Sequence, residues 1–401
     1  MNNRITSHFK GVLTALAVFL FACVVDTAAQ DSFEDFKQQY QQGYQQFLDS
    51  FENGIAKSQQ DYEDYREAYK KEFEAFKEEM LQKWGDFKER SKKRWVEYKE
   101  NGDLRISTDF EDGKVQVEVL ADSKEEAGQV KEKMSEKVEK AVKSKGTREG
   151  FETEKMPNKE ITKEPVLDDQ LQKSEEEPVG EYAKEVAEQK TNTKKVKGKD
   201  GKSRYVVYVD FDLASDHLQK RARKVEDLVY DFAQKNNLDP SLVFAVIHVE
   251  SYFNPTAASH ANAYGLMQLV PTTGGRDAYR KIYNEDGIPT KEYLFDPGNN
   301  IEMGCTFIKI LGRRYFKSVK DETTRLYMMI SAYNTGAGNV AVAYTGDTGL
   351  RRAIQEANSM SAEENYEHLR ENLEYAEARN YLKKVTSQRE KYDKWKRQKS
   401  Q

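Results

Sequence analysis

A glutamate at the end of a long apolar run is the residue in this chain best suited to move a proton. The run Pro240-Ser241-Leu242-Val243-Phe244-Ala245-Val246-Ile247-His248-Val249-Glu250-Ser251 follows Asp239. Aspartate is a good helix N-cap and proline a good first helical residue. Apolar side chains cover much of the helix surface, which predicts a buried helix. Pro255 pushes its predecessor out of helical geometry, so the helix should end near Tyr252-Phe253-Asn254. Glu250 then lies in the last turn, close to the negative end of the helix dipole and partly out of water. Both effects disfavour the carboxylate and raise its proton affinity, as a general acid near neutral pH requires. The plain alternative is a buried glutamate in an ordinary ion pair, and the helix alone does not exclude it. His248 is two residues away on a different helix face and is read as structural.

The neighbouring residues weigh on the choice. Ala258-Ser259 follows, then Ala263-Tyr264-Gly265-Leu266-Met267-Gln268, then Ser331-Ala332-Tyr333-Asn334-Thr335-Gly336, and finally Tyr381. In this order and spacing the set resembles the Glu-Ser, Gly-Leu-Met-Gln, Ala-Tyr-Asn and late Tyr motifs of the soluble lytic transglycosylase catalytic domain, over about residues 217–392. Asn358-Ser359-Met360-Ser361 and the stretch 376–385 are similar to the membrane-bound lytic murein transglycosylase C type, whose members carry a separate N-terminal domain.

That resemblance implies a lysozyme-like fold and peptidoglycan glycan strands as substrate. It implies non-hydrolytic cleavage of the bond from N-acetylmuramic acid to N-acetylglucosamine, leaving 1,6-anhydro ends. Glu250 would be the single acid/base, protonating the glycosidic oxygen and then accepting the proton of the muramic acid 6-hydroxyl. No second carboxylate is required, unlike the usual glycosidase pair. Ser251, Ser259, Gly265, Leu266, Met267, Gln268, Tyr333 and Asn334 would form the substrate-binding set. Tyr381 would orient the Glu250 carboxyl. Met267 would touch sugar through apolar contact, Gln268 through acetamido groups, and Gly265 would let backbone approach sugar closely. Asp277, Glu285 and Asp286 are read as surface charges. No cofactor or metal is implied, and no Cys/His cluster suggests one. The rival readings are a muramidase of the same fold and a non-catalytic peptidoglycan-binding envelope protein.

Around this set the chain has 401 residues, with 33% charged and 37% hydrophobic. Its mean hydropathy of −0.89 is too polar for one large globule. The net charge of −5 argues against a nucleic-acid-binding surface over the whole protein. Residues 1–29 read as a signal peptide: Arg4 and Lys10 precede an apolar run over 12–25 that is short for a membrane span. Cleavage before Gln30 would release a soluble protein. Alternatively Leu20-Phe21-Ala22-Cys23 resembles a lipobox, and Cys23 would carry a lipid anchor. Both routes lead to the periplasm, free or held at the outer membrane. Cys305 is then the remaining cysteine, read as a buried structural thiol.

The expected fold class is α+β overall. Residues 30–213 form an N-terminal α+β domain, and residues 214–401 an all-α catalytic domain. Aromatic residues recur at helical spacing from Phe33 to Phe51 and from Tyr62 to Phe87, with a break near Asn53-Gly54. They predict two helices whose aromatic faces are core, with sugar stacking as the alternative. Alternating residues over 103–121 predict a β-hairpin, which the run Tyr205–Leu213 could join. Residues 122–145 read as helical, and residues 146–202 as a charged, solvated insertion.

Overall fold

The computed structural model describes residues 55–56, 59–153 and 159–399. The signal segment, Cys23, the aromatic stripe from Phe33 to Phe51 and the break at Asn53-Gly54 lie outside the described residues. From Gly54 onward the chain forms one compact unit.

Past the short strand β1 (Ile55–Ala56), the N-terminal half is built on a five-stranded antiparallel sheet of order β2-β3-β4-β6-β5. Its strands are β2 (Arg94–Lys99), β3 (Leu104–Asp109), β4 (Lys114–Ala121), β5 (Asn192–Lys197) and β6 (Ser203–Asp212). β3 and β4 make the expected hairpin, with Ile106 opposite Val117 and Gly113 at φ +68° in its turn. β6 pairs with β4, Val117 opposite Val209. Side chains alternate between sheet faces. Trp95, Val207 and Val209 join one core, covered by α2 (Lys124–Glu132), α3 (Met134–Val142) and α4 (Val179–Lys190). Val96, Tyr98 and Val206 join another, covered by the aromatic helix α1 (Gln59–Trp84). Phe76, Met80 and Trp84 are buried there, and Phe76 stacks on Phe151 at 4.8 Å. The aromatic spacing of this helix is therefore core packing, although Tyr69 and Phe73 also reach a cavity described below.

Residues 146–202 depart from the expectation of a solvated insertion. Val166, Leu167 and Leu171 are buried in the sheet core, Leu171 bridges to Leu213, and α4 and β5 belong to the same segment. Charged residues dilute its apolar positions, yet these side chains join the sheet core and β5 pairs with β6, so the described part of the stretch is an integral layer. The C-terminal half is helical, but it is not free of strand: Ile288–Pro289 pairs antiparallel with Ile55–Ala56. In this half one core joins Val243, Val246 and Ile247 of α7 (Pro240–Ser251) to Leu382 and Val385 of the terminal helix α15 (Ala376–Lys399), and a second gathers Tyr264, Leu269, Tyr279, Leu294 and Phe295. The intervening helices of that half are α5 (His217–Lys224), α6 (Glu226–Asn236), α8 (Arg276–Tyr283), α9 (Lys291–Phe295), α10 (Pro297–Ile310), α11 (Glu322–Thr335), α12 (Ala337–Thr345), α13 (Leu350–Ala357) and α14 (Ala362–Asn372). No helix among the described residues is long and apolar enough to cross a membrane.

The two halves are joined by buried polar contacts. Arg221 of α5 is 3% exposed, and its guanidinium donates to Phe110 O (3.1 Å), Tyr252 O (2.9 Å) and Gln170 Oε1 (2.6 Å). Burial lowers its pKa to about 9. Lys291 of α9 pairs with buried Glu149 at 2.5 Å, and its ammonium lies 4.3 Å from the Tyr69 ring centre.

Candidate functional site

α7 begins as its sequence dictates. The Asp239 carboxylate accepts the Ser241 backbone N–H at 3.0 Å, and Pro240 fills the first position. The helix ends at Ser251 because Tyr252 turns left-handed at φ +52°, followed by Phe253 at +60°. Two successive non-glycine residues in that region carry a conformational cost. Anchors on Tyr252 offset it: its hydroxyl donates to Glu111 at 2.5 Å, its ring meets His248 edge-to-face, and Lys93 lies 4.8 Å above it. His248 meets Tyr392 at 3.0 Å, and burial lowers its pKa to about 4, so it is a neutral packing residue.

Glu250, in the last turn, is 4% exposed. Its pKa is raised, chiefly because burial penalises the charged form. Lys92 opposes this: its ammonium lies 3.2 Å from Glu250 Oε2 and 3.5 Å from Glu377 Oε1. The Tyr381 hydroxyl, on α15, also faces the carboxyl and favours its charged form, while the nearby Glu377 disfavours it. In turn burial, with Glu250 adding to it, pushes the Tyr381 and Tyr333 hydroxyls well above the usual phenol range. The Tyr381 hydroxyl is buried and falls outside full hydrogen-bond geometry with any described residue.

The loop after α7 is fixed from several sides. Ser251 Oγ lies 3.1 Å from Ile247 O and 2.8 Å from Leu266 O. Tyr333 donates its hydroxyl to Met267 O at 2.7 Å, beside half-buried Asn334. Gly265 has φ +74°, and a Cβ there would stand 2.2 Å from Leu294 O and 2.3 Å from Asn300 Nδ2. The close approach needing glycine is thus to protein. Leu266 and Met267 are buried in the core, and Met267 packs against Gly304 instead of lining an open groove. Gln268 (φ +48°) turns its amide inward, donating to Ala257 O and Gly265 O at 3.0 Å each. Its Oε1 is buried with no partner among the described residues. Ser259 closes a tight turn with Ala263, its hydroxyl accepting the Ala263 N–H at 3.1 Å.

Ser259 also lines a cavity of about 340 Å³ between the halves, together with Asn262, Tyr264, Lys291, Tyr69 and Phe73. Glu250 is not among its lining residues. Asp286 forms ion pairs with Arg276 and Arg280 at 2.7 Å, a surface cluster away from these groups. Cys305 is buried in the core, and burial raises its thiol pKa.

Sequence reasoning missed three residues. Asn300 is fully buried and ties the loop: its Oδ1 accepts Met267 N–H at 2.8 Å, and its amide donates to Tyr264 O and Leu294 O. The only local signal was its position in the first turn of a helix capped by Asp296. Lys92 is a surface-type residue in a charged stretch with nothing near it in sequence to mark a site, and Glu377, although four residues before Tyr381, reads as a surface charge. No group of His, Cys, Asp and Glu among the described residues could hold a metal ion.

Comparison with known proteins gives two family matches. Residues 62–224 match the "Membrane-bound lytic murein transglycosylase C, N-terminal domain" family, and residues 227–355 match the "Transglycosylase SLT domain" family. Membrane-bound lytic murein transglycosylase C from Actinobacillus pleuropneumoniae serotype 5b is 42% identical over 190 residues, 47% of this chain and 51% of the relative. Its counterpart from Klebsiella pneumoniae is 37% identical over 198 residues, 49% of this chain and 54% of the relative. The chain thus spans about half the length of the curated relatives it matches. Among solved structures, the 70 kDa soluble lytic transglycosylase from Escherichia coli is 22% identical, with a TM-score of 0.32 over 43% of this chain and 25% of that one. In order along the chain, then, residues 62–224 are similar to the N-terminal domain family of membrane-bound lytic murein transglycosylase C and residues 227–355 to the transglycosylase SLT domain family.

Proposed function

We propose that this protein is a peptidoglycan lytic transglycosylase that cleaves the bond from N-acetylmuramic acid to N-acetylglucosamine without water, with Glu250 as its acid/base. The observation that carries the reading is a buried carboxyl with raised proton affinity at the end of α7, faced by two tyrosines and a lysine. Such a group holds a proton for the glycosidic oxygen and, once ionised, accepts one from the muramic acid 6-hydroxyl. Attack of that oxygen on C1 closes the 1,6-anhydro ring. The family matches and the curated relatives' names support the same chemistry.

Ser259, Tyr333, Asn334 and Gln268 are proposed to contact the glycan. The orphaned Gln268 Oε1 is an acceptor that a sugar N–H or hydroxyl would satisfy. Ser251, Gly265, Leu266 and Met267 contribute by holding the loop. Tyr381 orients Glu250. Purified protein incubated with peptidoglycan should release muropeptides with anhydro ends, one water lighter than reducing ends by mass.

One observation favours a second reading. Glu377 shares Lys92 with Glu250, and a second carboxylate near the first could position water, as in a muramidase. Reducing ends as the main product would select it. The mature protein is proposed to reside in the periplasm, anchored through a lipidated Cys23 or released by cleavage before Gln30. The mass of its mature N-terminus separates the two.

A further inference from the structure

The contact between Lys92 and Glu250 spans 158 residues of sequence and joins the sheet domain to the helical one. Lys92 lies in the turn between α1 and β2, and that turn is held on both sides. Before it, Arg90 is buried against the sheet: its guanidinium donates to Val96 O at 2.8 Å, to Thr147 O at 2.6 Å and to Glu97 at 3.2 Å. Between them, Ser91 Oγ accepts the backbone N–H groups of Lys93 and Arg94. After it, Lys93 pairs with Glu111 and lies on the Tyr252 ring, two residues beyond Glu250. The backbone carrying Lys92 is therefore clamped to the helix that carries Glu250.

We propose that Lys92, supplied by the sheet domain, is a positioning residue of the reaction: it holds the Glu250 carboxyl in place and steadies the charge left there when its proton is transferred. This rests on the reading of Glu250 as the acid/base. The Glu250 proton passes to the bridging oxygen as the C1–O bond breaks. The carboxylate left behind is nine-tenths buried and needs a cation. Lys92 Nζ, at 3.2 Å from Oε2, supplies it. When Glu250 takes the 6-hydroxyl proton, exposed Glu377 at 3.5 Å keeps a counter-charge beside the lysine. The charged and titratable groups facing Glu250 are Lys92, Glu377, Tyr381 and Tyr333, and those facing Lys92 are Glu250 and Glu377. Among them Lys92 is the cation, so its removal raises the proton affinity of Glu250 and keeps the acid form to higher pH.

The test is kcat and KM across pH on isolated glycan strands, using the full chain and its Lys92→Met, Lys92→Arg and Glu250→Gln variants. Lys92→Met should lower kcat about tenfold on the acidic plateau, leave KM within about twofold, and move the alkaline limb of kcat/KM to higher pH. Lys92→Arg keeps the cation and should restore both the wild-type limb and most of kcat. Lys92→Gln serves as a second neutral variant if Lys92→Met fails to fold, as judged by thermal melting. A Lys92→Met profile that overlays the wild type, or a defect confined to KM, overturns the inference while an inactive Glu250→Gln leaves the proposed function standing. An active Glu250→Gln variant would instead sink the proposed function itself.

Discussion

The Ser251 hydroxyl stands 2.8 Å from the Leu266 carbonyl oxygen and ties the last turn of α7 to the loop carrying Gln268. It is fully buried, and Ile247 O is its other neighbour at 3.1 Å. Ser251→Ala leaves Leu266 O unpaired in the core. The expected loss is about 1–3 kcal/mol of stability, read as a lower urea midpoint at unchanged slope.

Gly265→Ala should be more damaging. The backbone is left-handed there, and the added carbon would meet Leu294 O and the Asn300 amide well inside contact distance. Strain and displacement together should cost about 3 kcal/mol or more. A thermal melt within a degree of wild type would contradict this geometry.

The third prediction concerns pH. Burial raises the folded-state pKa of Glu250 above its ordinary value of 4.5. The folded protein then binds more protons than the unfolded chain between the ordinary pKa and the raised one. Stability therefore falls as pH rises through that window, and the cost is fully present above it. Glu250→Gln removes the titration. Plotted against pH, the melting temperature of the variant minus that of wild type should climb from about pH 4.5 upward and then level off. A flat difference would count against a buried, proton-holding carboxyl.

Much of the helical half was legible in the residues themselves. Asp239, Pro240 and the apolar run fixed α7 and put Glu250 at its end, and the β3–β4 hairpin followed from alternation around Gly113. The segment 146–202 was not legible, because Val166, Leu167, Leu171 and Tyr182 are spaced by charges and become core only against distant parts of the sheet domain. β2 was hidden for a related reason. Trp95, Val96, Glu97 and Tyr98 are buried on both faces, so alternation vanishes, and Glu97 is tolerated by Arg90, Ser144 and Thr147. In the site, Glu250 had a local context, whereas Lys92 reaches it through tertiary contact alone.

A fourth prediction addresses the Glu149–Lys291 pair. Glu149 is fully buried and also accepts from Arg148 Nε at 2.7 Å and the Tyr65 hydroxyl at 3.1 Å. Lys291→Met removes one of its cations and should cost about 3 kcal/mol, the penalty of breaking a buried pair. Adding Glu149→Gln should recover part of that loss. Strict additivity of the two changes in a double-mutant cycle would show the pair to be uncoupled.

The Arg221 guanidinium grips Phe110 O on the hairpin and Tyr252 O just past Glu250 with one rigid fork. Any tilt of the hairpin is therefore felt at the turn after Glu250, through this side chain and through the Tyr252 hydroxyl on Glu111. Without the sheet half, that fork would lose both the Phe110 carbonyl and the Gln170 side-chain oxygen and keep Tyr252 O. The helical half is accordingly incomplete without the sheet, which supplies the other part of its scaffold.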